Sequence, residues 1–571
     1  MEREKLIRTA RGDKPPAVLL KNANLVNVYT GEVYQTNIAI RRSRVIGVGP
    51  EYDDGETVID LKGKYVAPGY IDAHVHIESS MCTPREFAKA VIPHGITSVV
   101  TDPHEIANVL GLEGISFMLE QAKYGPMSMY VMASSCVPAT HMETAGAQLE
   151  AHDIEHLRNN KWVLGLAEVM NYPGVINGDM PMLEKLEAFW GTVIDGHCPG
   201  LTGKPLNGYI AAGIESDHEC TTVEEAQEKL RLGMMIFIRE ATNAQNLRPL
   251  LPLIDDRNSQ RICWCTDDRQ PADLIDDGSI DYMVRVAIEN GVDPVRAIQM
   301  GTINTATYFG LSDRGGLAPG KRADLFIFSD LKRPVAEQVY RGGYLVAENG
   351  QMLPIQEAQR SVNLRNSMNV RWEAVDFAIP AASSKIRVIG SQENQLLTKH
   401  MTYEARITDG HAVADTERDL LKMAVIERHR STGNMGKGFI NGIGLKRGAI
   451  AGTVAHDHHN LVVIGADDDS MMTAVKAVAA MDGGLVTAEG DTVKARLPLP
   501  IAGLMSDQPI DKVRIQMDAL LGTARELGSP LHDPFMAMSF MALEVIPSLK
   551  LTDVGLVDVD KFEVVDLFIP V

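Results

Sequence analysis

The sequence predicts an α/β protein with a (β/α)8 TIM-type barrel, a small split β-sandwich domain and an additional C-terminal α/β domain. Three observations predict this fold. Eight short apolar segments alternate with helical stretches between residues 70 and 267. Runs of β-branched residues precede this alternation and return after it, and a mixed unit follows from about residue 356. Strands that alternate with helices are typical of a parallel sheet covered by helices.

The expected domain boundaries follow these changes of pattern. The small β domain takes residues 1–68, and the barrel takes residues 69–314. Residues 315–355 return to strand and turn chemistry, and we expect them to complete the sheet begun by residues 1–68. Residues 356–571 form the C-terminal domain. At roughly 150 residues per domain, a chain of this length is too long for one ordinary domain.

The first 68 residues are expected to form an antiparallel β unit and no helix. Gly, Pro and Asp separate its β-branched runs, which are AVLLKNANLVNVY, NIAIRRSRVIGVG and TVIDLKGKYVAPG.

The barrel strands are predicted from apolar runs of strand length. In order they are YIDAHVH, TSVVTD, MSMYVMAS, VLGLAEV, VIDGHC, GIESDHE, MMIFIRE and ICWCTD. Apolar residues at helical spacing lie between most of them, in PREFAKAVIPHG, GLEGISFMLEQAKYG, DIEHLRNN, MPMLEKLEAFWG, TVEEAQEKLRLG and NAQNLRPLLPLID. Two short helices are expected in GVDPVRAIQMGTINTATYFG. An open doubly wound sheet is the alternative to a barrel.

The C-terminal domain is expected to mix strands and helices. Its predicted strands are IRVIG, HMTYEARITDG, HNLVVIGA and GGLVTAEGDTVKARLPLP. Its predicted helices are ERDLLKMAVIERHR, DSMMTAVKAVAAM and IDKVRIQMDALLGTARELG.

Composition excludes several classes of protein. Apolar residues make up 45% of the chain, which is typical of a globular protein. The net charge of -20 argues against nucleic acid as a partner, because phosphate binding needs excess Lys and Arg. The sequence contains no run of about 18 uncharged apolar residues, so we expect no membrane span. The start, MEREKLIRTARGDKPP, does not resemble a secretory signal.

The six cysteines all lie between residues 82 and 265 and form no CxxC pair. We therefore expect buried, reduced thiols in a cytoplasmic protein. A homo-oligomer is expected only from the general frequency of symmetric assemblies.

Two histidines mark the end of the first barrel strand. His74 and His76 are two residues apart, so both side chains of a strand point to the same face and could bind one metal ion. An HxH pair alone is a weak signal. Its position strengthens it, because barrel active sites lie at the carboxyl ends of the strands.

Further metal-type side chains follow other strands at the same face. They are Glu168, His197, His218 and Asp267. Each alone is more often structural, as a capping Asp, a hydrogen-bonded His or a solvated Glu. Together, imidazoles and carboxylates suit Zn, Mn or Fe, and a carboxylate can bridge two such ions. The sequence therefore predicts a metal centre.

These segments carry a resemblance to the amidohydrolase superfamily. PGYIDAHVH at residues 68–76 resembles its first barrel strand, and LAPGKRADL at 317–325 resembles its return to the small β domain. The whole chain is similar to the adenine deaminase family of that superfamily. The matching segments are TDPHEIANV, GLAEVM, DGHCPG, CTDDR, AVIERH and AHDHHN.

The resemblance implies hydrolysis of adenine to hypoxanthine and ammonia, in purine salvage. It implies two divalent ions, with Mn or Fe favoured over Zn. Many amidohydrolases bridge two metals with a carboxylated Lys on strand four, where this chain has Glu168. By resemblance, His74, His76, Glu168 and Asp267 hold one ion, and Glu168, His197 and His218 hold the other.

The catalytic candidates are Asp267, as proton shuttle, and Glu105 or His104, as proton donor to the purine ring. For Glu105 and His104, a purely structural role in the loop is the alternative. Glu78 is a weaker candidate donor. Arg239 has two interpretations, contact with the purine or a structural ion pair.

Several histidines stay without an assigned role. The His456–Asn460 cluster could bind a further metal, cover the barrel or stabilise a turn. His141 and His458 depart from the family pattern. They are either extra site residues or tolerated changes. Two other functions stay open: a metal-dependent hydrolase of another cyclic amide or amino-heterocycle, and a metal-free scaffold.

Overall fold

The computed structural model describes residues 2–354, 364–392 and 395–570. It begins with a helix, α1 (Glu2–Ala10), so the expectation of no helix in the first 68 residues is wrong. Leu6 and Ala10 lie on one face of α1 and pack against a small apolar cluster that includes Leu19 and Ala39. The segment is rich in Glu, Lys, Leu and Arg, which favour helices.

Five strands follow α1. They are β1 (Val18–Asn27), β2 (Glu32–Arg41), β3 (Arg44–Val48), β4 (Thr57–Asp60) and β5 (Tyr65–Pro68). β1 pairs antiparallel with β2 but parallel with β4 and β5. The sheet is therefore mixed, and the expectation of a purely antiparallel unit is wrong.

Eight parallel strands form the barrel. They are β6 (Tyr70–Val75), β7 (Ile96–Thr101), β8 (Ser128–Ala133), β9 (Val163–Val169), β10 (Val193–Gly196), β11 (Ser216–Asp217), β12 (Met235–Arg239) and β13 (Ile262–Cys265). Seven predicted strands contain one of them each, and TSVVTD overlaps β7, which begins one residue earlier, at Ile96.

Backbone hydrogen bonds close this barrel at two seams. Glu215 N donates to Ile194 O at 3.0 Å and joins β10 to β11. Asp267 N donates to His74 O at 3.0 Å, and His76 N donates to Asp267 O at 3.2 Å. The last strand therefore meets the first, which excludes the open sheet.

Helices surround the barrel and follow it. They are α2 (Pro84–Val91), α3 (His104–Leu110), α4 (Leu112–Tyr124), α5 (Ala151–Ile154), α6 (Tyr172–Asn177), α7 (Met180–Ala188), α8 (Gly203–Ala211), α9 (Val223–Arg231), α10 (Leu247–Leu250), α11 (Pro271–Asp276), α12 (Ile280–Glu289), α13 (Pro294–Met300) and α14 (Ile303–Tyr308). Short 3-10 helices occupy Ile77–Ser80, Ile92–His94, Glu155–Asn159, Leu251–Leu253, Ser259–Arg261 and, later in the chain, Trp372–Ala374.

The chain then returns to the N-terminal sheet. The returning strands are β14 (Leu325–Phe328), β15 (Gln338–Arg341), β16 (Tyr344–Glu348) and β17 (Gln351–Met352). β14 pairs antiparallel with β5, so one nine-stranded sheet contains both segments, as expected.

The strands of the C-terminal region are β18 (Lys385–Gly390), β19 (Lys399–Glu404), β20 (Arg406–Thr408), β21 (His411–Val413), β22 (Leu421–Ile426), β23 (Met435–Asn441), β24 (Ala449–Gly452), β25 (Leu461–Gly465), β26 (Gly484–Glu489), β27 (Thr492–Pro498), β28 (Leu549–Leu551), β29 (Leu556–Asp558) and β30 (Glu563–Val565). Eight of them form one sheet of order β19-β18-β23-β22-β25-β24-β26-β27. The helices of this region are α15 (Asp468–Ala480), α16 (Ile510–Glu526) and α17 (Pro534–Phe540).

One predicted helix of this region is wrong. ERDLLKMAVIERHR contains β22, whose six residues are all buried. β22 pairs with β23 on one side and β25 on the other, so it is a central strand. A strand buried on both faces is a continuous apolar run, which periodicity alone cannot distinguish from a helix.

The barrel and the C-terminal region share one apolar core, which extends from Val75 through Leu504 to Phe540. The six cysteines are buried and free, as expected. Among the helices of the described residues, none is long and apolar enough to cross a membrane.

Candidate metal centre

Four histidines and two carboxylates meet at the carboxyl end of the barrel strands. They come from β6, β9 and the residues that follow β6, β10, β11 and β13. All six are at most 6% exposed; they are His74, His76, Glu168, His197, His218 and Asp267. The structure therefore brings together every residue that the sequence assigned to the metal centre.

The first group surrounds one oxygen of Glu168. Nε2 of His74 lies 3.1 Å from Nε2 of His76. Glu168 Oε1 lies 3.0 Å from His76 Nε2 and 3.6 Å from His74 Nε2. Asp267 Oδ1 lies 3.1 Å and 3.5 Å from the same two nitrogens. Ligands at metal–ligand distances of about 2.1 Å stand about 3.4 Å apart in a tetrahedron, so these donors could share one ion.

The second group surrounds the other oxygen of Glu168. Oε2 lies 2.8 Å from His197 Nδ1 and 3.2 Å from His218 Nε2. Glu168 therefore offers one oxygen to each group, which is the geometry of a bridging carboxylate.

The burial and charge of these side chains suit the binding of divalent cations. Glu168 Oε1 is buried without a hydrogen-bond partner among the described residues. Buried polar atoms normally have a hydrogen-bond partner, so an oxygen without one is available to a metal ion. Burial alone raises the pKa of Glu168, yet the surrounding imidazoles, His74 first, hold it well below its usual range. An ionised carboxylate among imidazoles is a ligand set for Zn, Mn or Fe.

Arg239 orients Asp267. Its Nη1 donates to Asp267 Oδ2 at 2.8 Å, while Asp267 Oδ1 faces the histidines. Glu219 accepts hydrogen bonds from Nη1 and Nη2 of Arg239, and the bond from Nη2 is 3.0 Å long. Asn246 Oδ1 accepts from Nε and Nη2. Asp267 also has φ of 56°, a left-handed conformation that Asp tolerates and that aims its side chain into the centre. These contacts favour the structural ion pair for Arg239.

Asp102 orients two neighbouring imidazoles, one through its backbone carbonyl and one through its carboxylate. The carbonyl of Asp102 lies 2.9 Å from His76 Nδ1, and its Oδ2 lies 2.9 Å from His104 Nδ1. Each contact holds one ring nitrogen and turns Nε2 of that histidine inward. Such contacts are typical of histidines beside metal sites.

Glu105 is one of the barrel residues that contact the C-terminal region. It lies in the first turn of α3, beside His104, and not in an irregular loop. Its Oε1 lies 2.5 Å from His456 Nδ1, and its Oε2 contacts His459 Nε2. The His456–Asn460 cluster is thus part of the site, which leaves the isolated turn as the least supported of its three interpretations.

Three weaker candidates lie elsewhere. Glu78 Oε1 accepts from Ile106 N at 3.3 Å and so holds α3, and burial raises the pKa of Glu78 to about 7. His141 is exposed and stands edge-on to Phe562. His458 is buried, but its Nδ1 accepts from the backbone of its own loop, at Asn460 N.

The centre lies in a small cavity closed from above by the C-terminal region. Its volume is about 20 Å³, which is room for about one water molecule. Leu396, Phe540, Leu543 and Ile546 form its apolar roof, and His456 and Asp457 stand beside them. Sequence reasoning missed this roof and also Glu219. For Glu219, the adjacent His218 was a usable signal; for the apolar roof, no local signal exists.

Family models match the two halves of this site. The model of the amidohydrolase family matches residues 65–346, which include the whole barrel. The model described as the adenine deaminase C-terminal domain matches residues 395–563, which include the roof and the His456–Asn460 cluster.

Curated relatives match nearly the whole chain. It is 50% identical over 567 residues to the adenine deaminase of Desulfatibacillum aliphaticivorans, with 99% of each chain covered. It is 48% identical over 562 residues to adenine deaminase 2 of Carboxydothermus hydrogenoformans, with 98% of each covered. It is 47% identical over 569 residues to the adenine deaminase of Kosmotoga olearia, with 99% of this chain and 98% of the relative covered.

Proposed function

The chain belongs to the adenine deaminase family of the amidohydrolases, and we propose how its own residues convert adenine and water into hypoxanthine and ammonia. The enzyme is a hydrolase that breaks the bond between C6 and the amino nitrogen. The reaction needs a water that is nucleophilic at neutral pH. It also needs one proton for the ring nitrogen beside C6 and one for the leaving amino group.

Amidohydrolases generally bind a binuclear divalent metal centre, and we assign its ligands here. His74, His76, Glu168 and Asp267 would hold one ion, and Glu168, His197 and His218 would hold the other. Ions held there would lower the pKa of a bound water far below that of bulk water and so supply the nucleophile. The observation that carries this proposal is Glu168, which turns one oxygen to each group of histidines. We favour Mn or Fe as the metal.

Asp267 moves the proton of the attacking water to the leaving group. Arg239 holds Asp267 Oδ2, so Oδ1 is the oxygen that faces the centre. Although burial raises the pKa of Asp267, Arg239 and the histidines hold it well below its usual range. Asp267 is therefore ionised and able to accept a proton at neutral pH and release it to the amine.

Glu105 protonates the ring nitrogen. It lines the same cavity as Asp267, and His104 Nε2 lies 3.5 Å from Glu105 Oε1. His104 is fixed by Asp102 through its other nitrogen, which suits it to support Glu105 rather than to move. The apolar roof keeps bulk water away from this transfer.

Ammonia release from adenine tests the function. Metal-free protein is loaded with Mn(II), Fe(II) or Zn(II) and assayed with adenine, adenosine, cytosine and guanine. We expect turnover of adenine, fastest with Mn or Fe, and no turnover after chelation. Failure of every metal-loaded form on adenine would refute the function.

The variant Glu105→Gln tests the proton donor. It keeps the shape of the side chain and removes the acid, so kcat should fall on the order of 10²–10⁴-fold with two ions still bound. A kcat within about threefold of the wild type would remove Glu105 from the mechanism.

A further inference from the structure

Loop 455–460 of the C-terminal region presents one imidazole to each oxygen of Glu105. His456 Nδ1 lies 2.5 Å from Oε1, and His459 Nε2 contacts Oε2. All three side chains are at most 3% exposed. The contact at Oε1 is an ion pair and the contact at Oε2 is a hydrogen bond, and together they restrict rotation of the carboxylate about its terminal bond.

The two imidazoles differ in what their other ring nitrogen does. His459 Nδ1 accepts a hydrogen bond from Ala455 N at 3.1 Å, so its proton is on Nε2 and is donated to Glu105. His456 Nε2 has no hydrogen-bond partner among the described residues, and its ring stacks on Phe540 at 4.5 Å between centroids. His459 is therefore a fixed donor, whereas His456 is free to gain and lose a proton.

The loop is itself anchored more firmly than a surface turn. The buried guanidinium of Arg428 donates to the carbonyls of His459, Ser367 and Ala502. Asn460 Nδ2 donates to Thr144 O in the barrel at 2.9 Å. His459 has φ of 49°, a left-handed conformation that a non-glycine residue keeps only when its surroundings enforce it.

We propose that this loop completes the acid of the centre: His459 is a positioning residue that orients Glu105 through Oε2, and His456 holds the proton that Glu105 hands on from Oε1. The inference rests on the proposed role of Glu105. The proton passes from His456 Nδ1 to Glu105 Oε1 and then to the ring nitrogen as the C6–O bond forms. The C6–N bond breaks when the amine leaves as ammonia. Asp267 carries one proton of the attacking water to the amine. The second proton of that water leaves the C6 hydroxyl as the carbonyl forms and returns through Glu105 to His456, so each turnover consumes one water and leaves His456 protonated.

The charges of the pair agree with this direction of transfer. Although burial lowers the pKa of His456, Glu105 and Asp268 raise it to about 9. Burial raises the pKa of Glu105, but His456, His459 and His104 hold it well below its usual range. The proton of the pair therefore rests on His456 before the substrate is attacked.

Four variants of the metal-loaded full chain separate the two roles. Because Nε2 of His459 faces Glu105, His459→Gln keeps a donor near that position, and His459→Leu removes it. Because Nδ1 of His456 faces Glu105, His456→Asn keeps a donor there but cannot carry the proton, and His456→Leu removes both functions. His411→Ala, at an exposed histidine of the same region, is the matched control.

We expect His459→Leu to lower kcat on the order of 10–100-fold with KM changed less than about threefold, and His459→Gln to recover most of the loss. Both His456 variants should stay slow. In the Glu105→Gln background, His459→Leu should lower kcat less than about threefold further, because it acts through Glu105. Metal content and the thermal unfolding midpoint show whether each variant is folded.

Provided that the wild type deaminates adenine, three outcomes would overturn the inference. They are a His459→Gln enzyme as slow as His459→Leu, a His456→Asn enzyme as fast as the wild type, and losses in kcat that are additive when His459→Leu is combined with Glu105→Gln. If His459→Leu does not fold, the comparison of His459→Gln with His456→Asn still decides between these roles. A wild type that releases no ammonia refutes the proposed function instead.

Discussion

Replacing Arg239 by Met is expected to destabilise the protein more without metal ions than with them. The guanidinium is 2% exposed and donates to both oxygens of Glu219, to Asp267 Oδ2 and to Asn246 Oδ1. Removing one partner of a buried ion pair costs about 3–5 kcal/mol, because the remaining charge is left unpaired.

The size of the loss in unfolding free energy is expected to depend on whether metal ions are bound. Without ions, Glu219 and Asp267 both lose their cationic partner, and we expect a loss of about 5 kcal/mol. With ions bound, Asp267 keeps a cation beside it, only Glu219 is uncompensated, and we expect about 3 kcal/mol. kcat should fall as well, because Asp267 Oδ2 is no longer held.

Urea unfolding followed by tryptophan fluorescence measures this difference, since Trp162, Trp190 and Trp264 all lie in the barrel region. Arg257→Met is the matched control, because Arg257 pairs with Asp255 at the surface and is 91% exposed. It should cost less than about 1 kcal/mol. A loss below about 1 kcal/mol for Arg239→Met, or a larger loss with metal than without, would refute the reasoning.

Two further predictions follow from single carboxylates. Glu168→Gln removes the anionic bridge, so elemental analysis should find fewer than two ions per chain and ammonia release should fall at least about 100-fold; two retained ions with full activity would contradict the bridge. Burial raises the pKa of Asp281, but His94 and Arg285 lower it to about 2, below its unfolded value. Its contribution of about 2 kcal/mol is therefore present above about pH 4 and lost as pH falls through 2. The stability difference between the wild type and Asp281→Asn in urea should shrink over that range, and a constant difference would contradict the assignment.

The barrel and its ligand positions could be predicted because both are local in the sequence. His74 and His76 lie two residues apart on a strand, and Glu168 ends a run of apolar residues. Closure of the barrel then places the strand ends together without any further information.

The remaining parts of the site depend on contacts between distant segments. His459 and Glu105 are 354 positions apart, and neither carries a local signal of the other. The roof residues Leu396, Phe540 and Ile546 are ordinary apolar residues in the sequence. β22 was missed for the related reason that its neighbours in the sheet, not its own pattern, make it a strand. α1 was missed because its apolar face is only two residues wide.

The seam between β13 and β6 gives the metal ions a second consequence. The hydrogen bonds that close it join Asp267 to His74 and His76, the same residues that we assign to one ion. A cation bound there would fasten the last strand to the first, much as a crosslink would. Its binding free energy would then also contribute to the free energy of barrel closure. If the assigned residues hold the ion, we expect its removal to weaken the closure of the ring of strands as well as the chemistry at its rim.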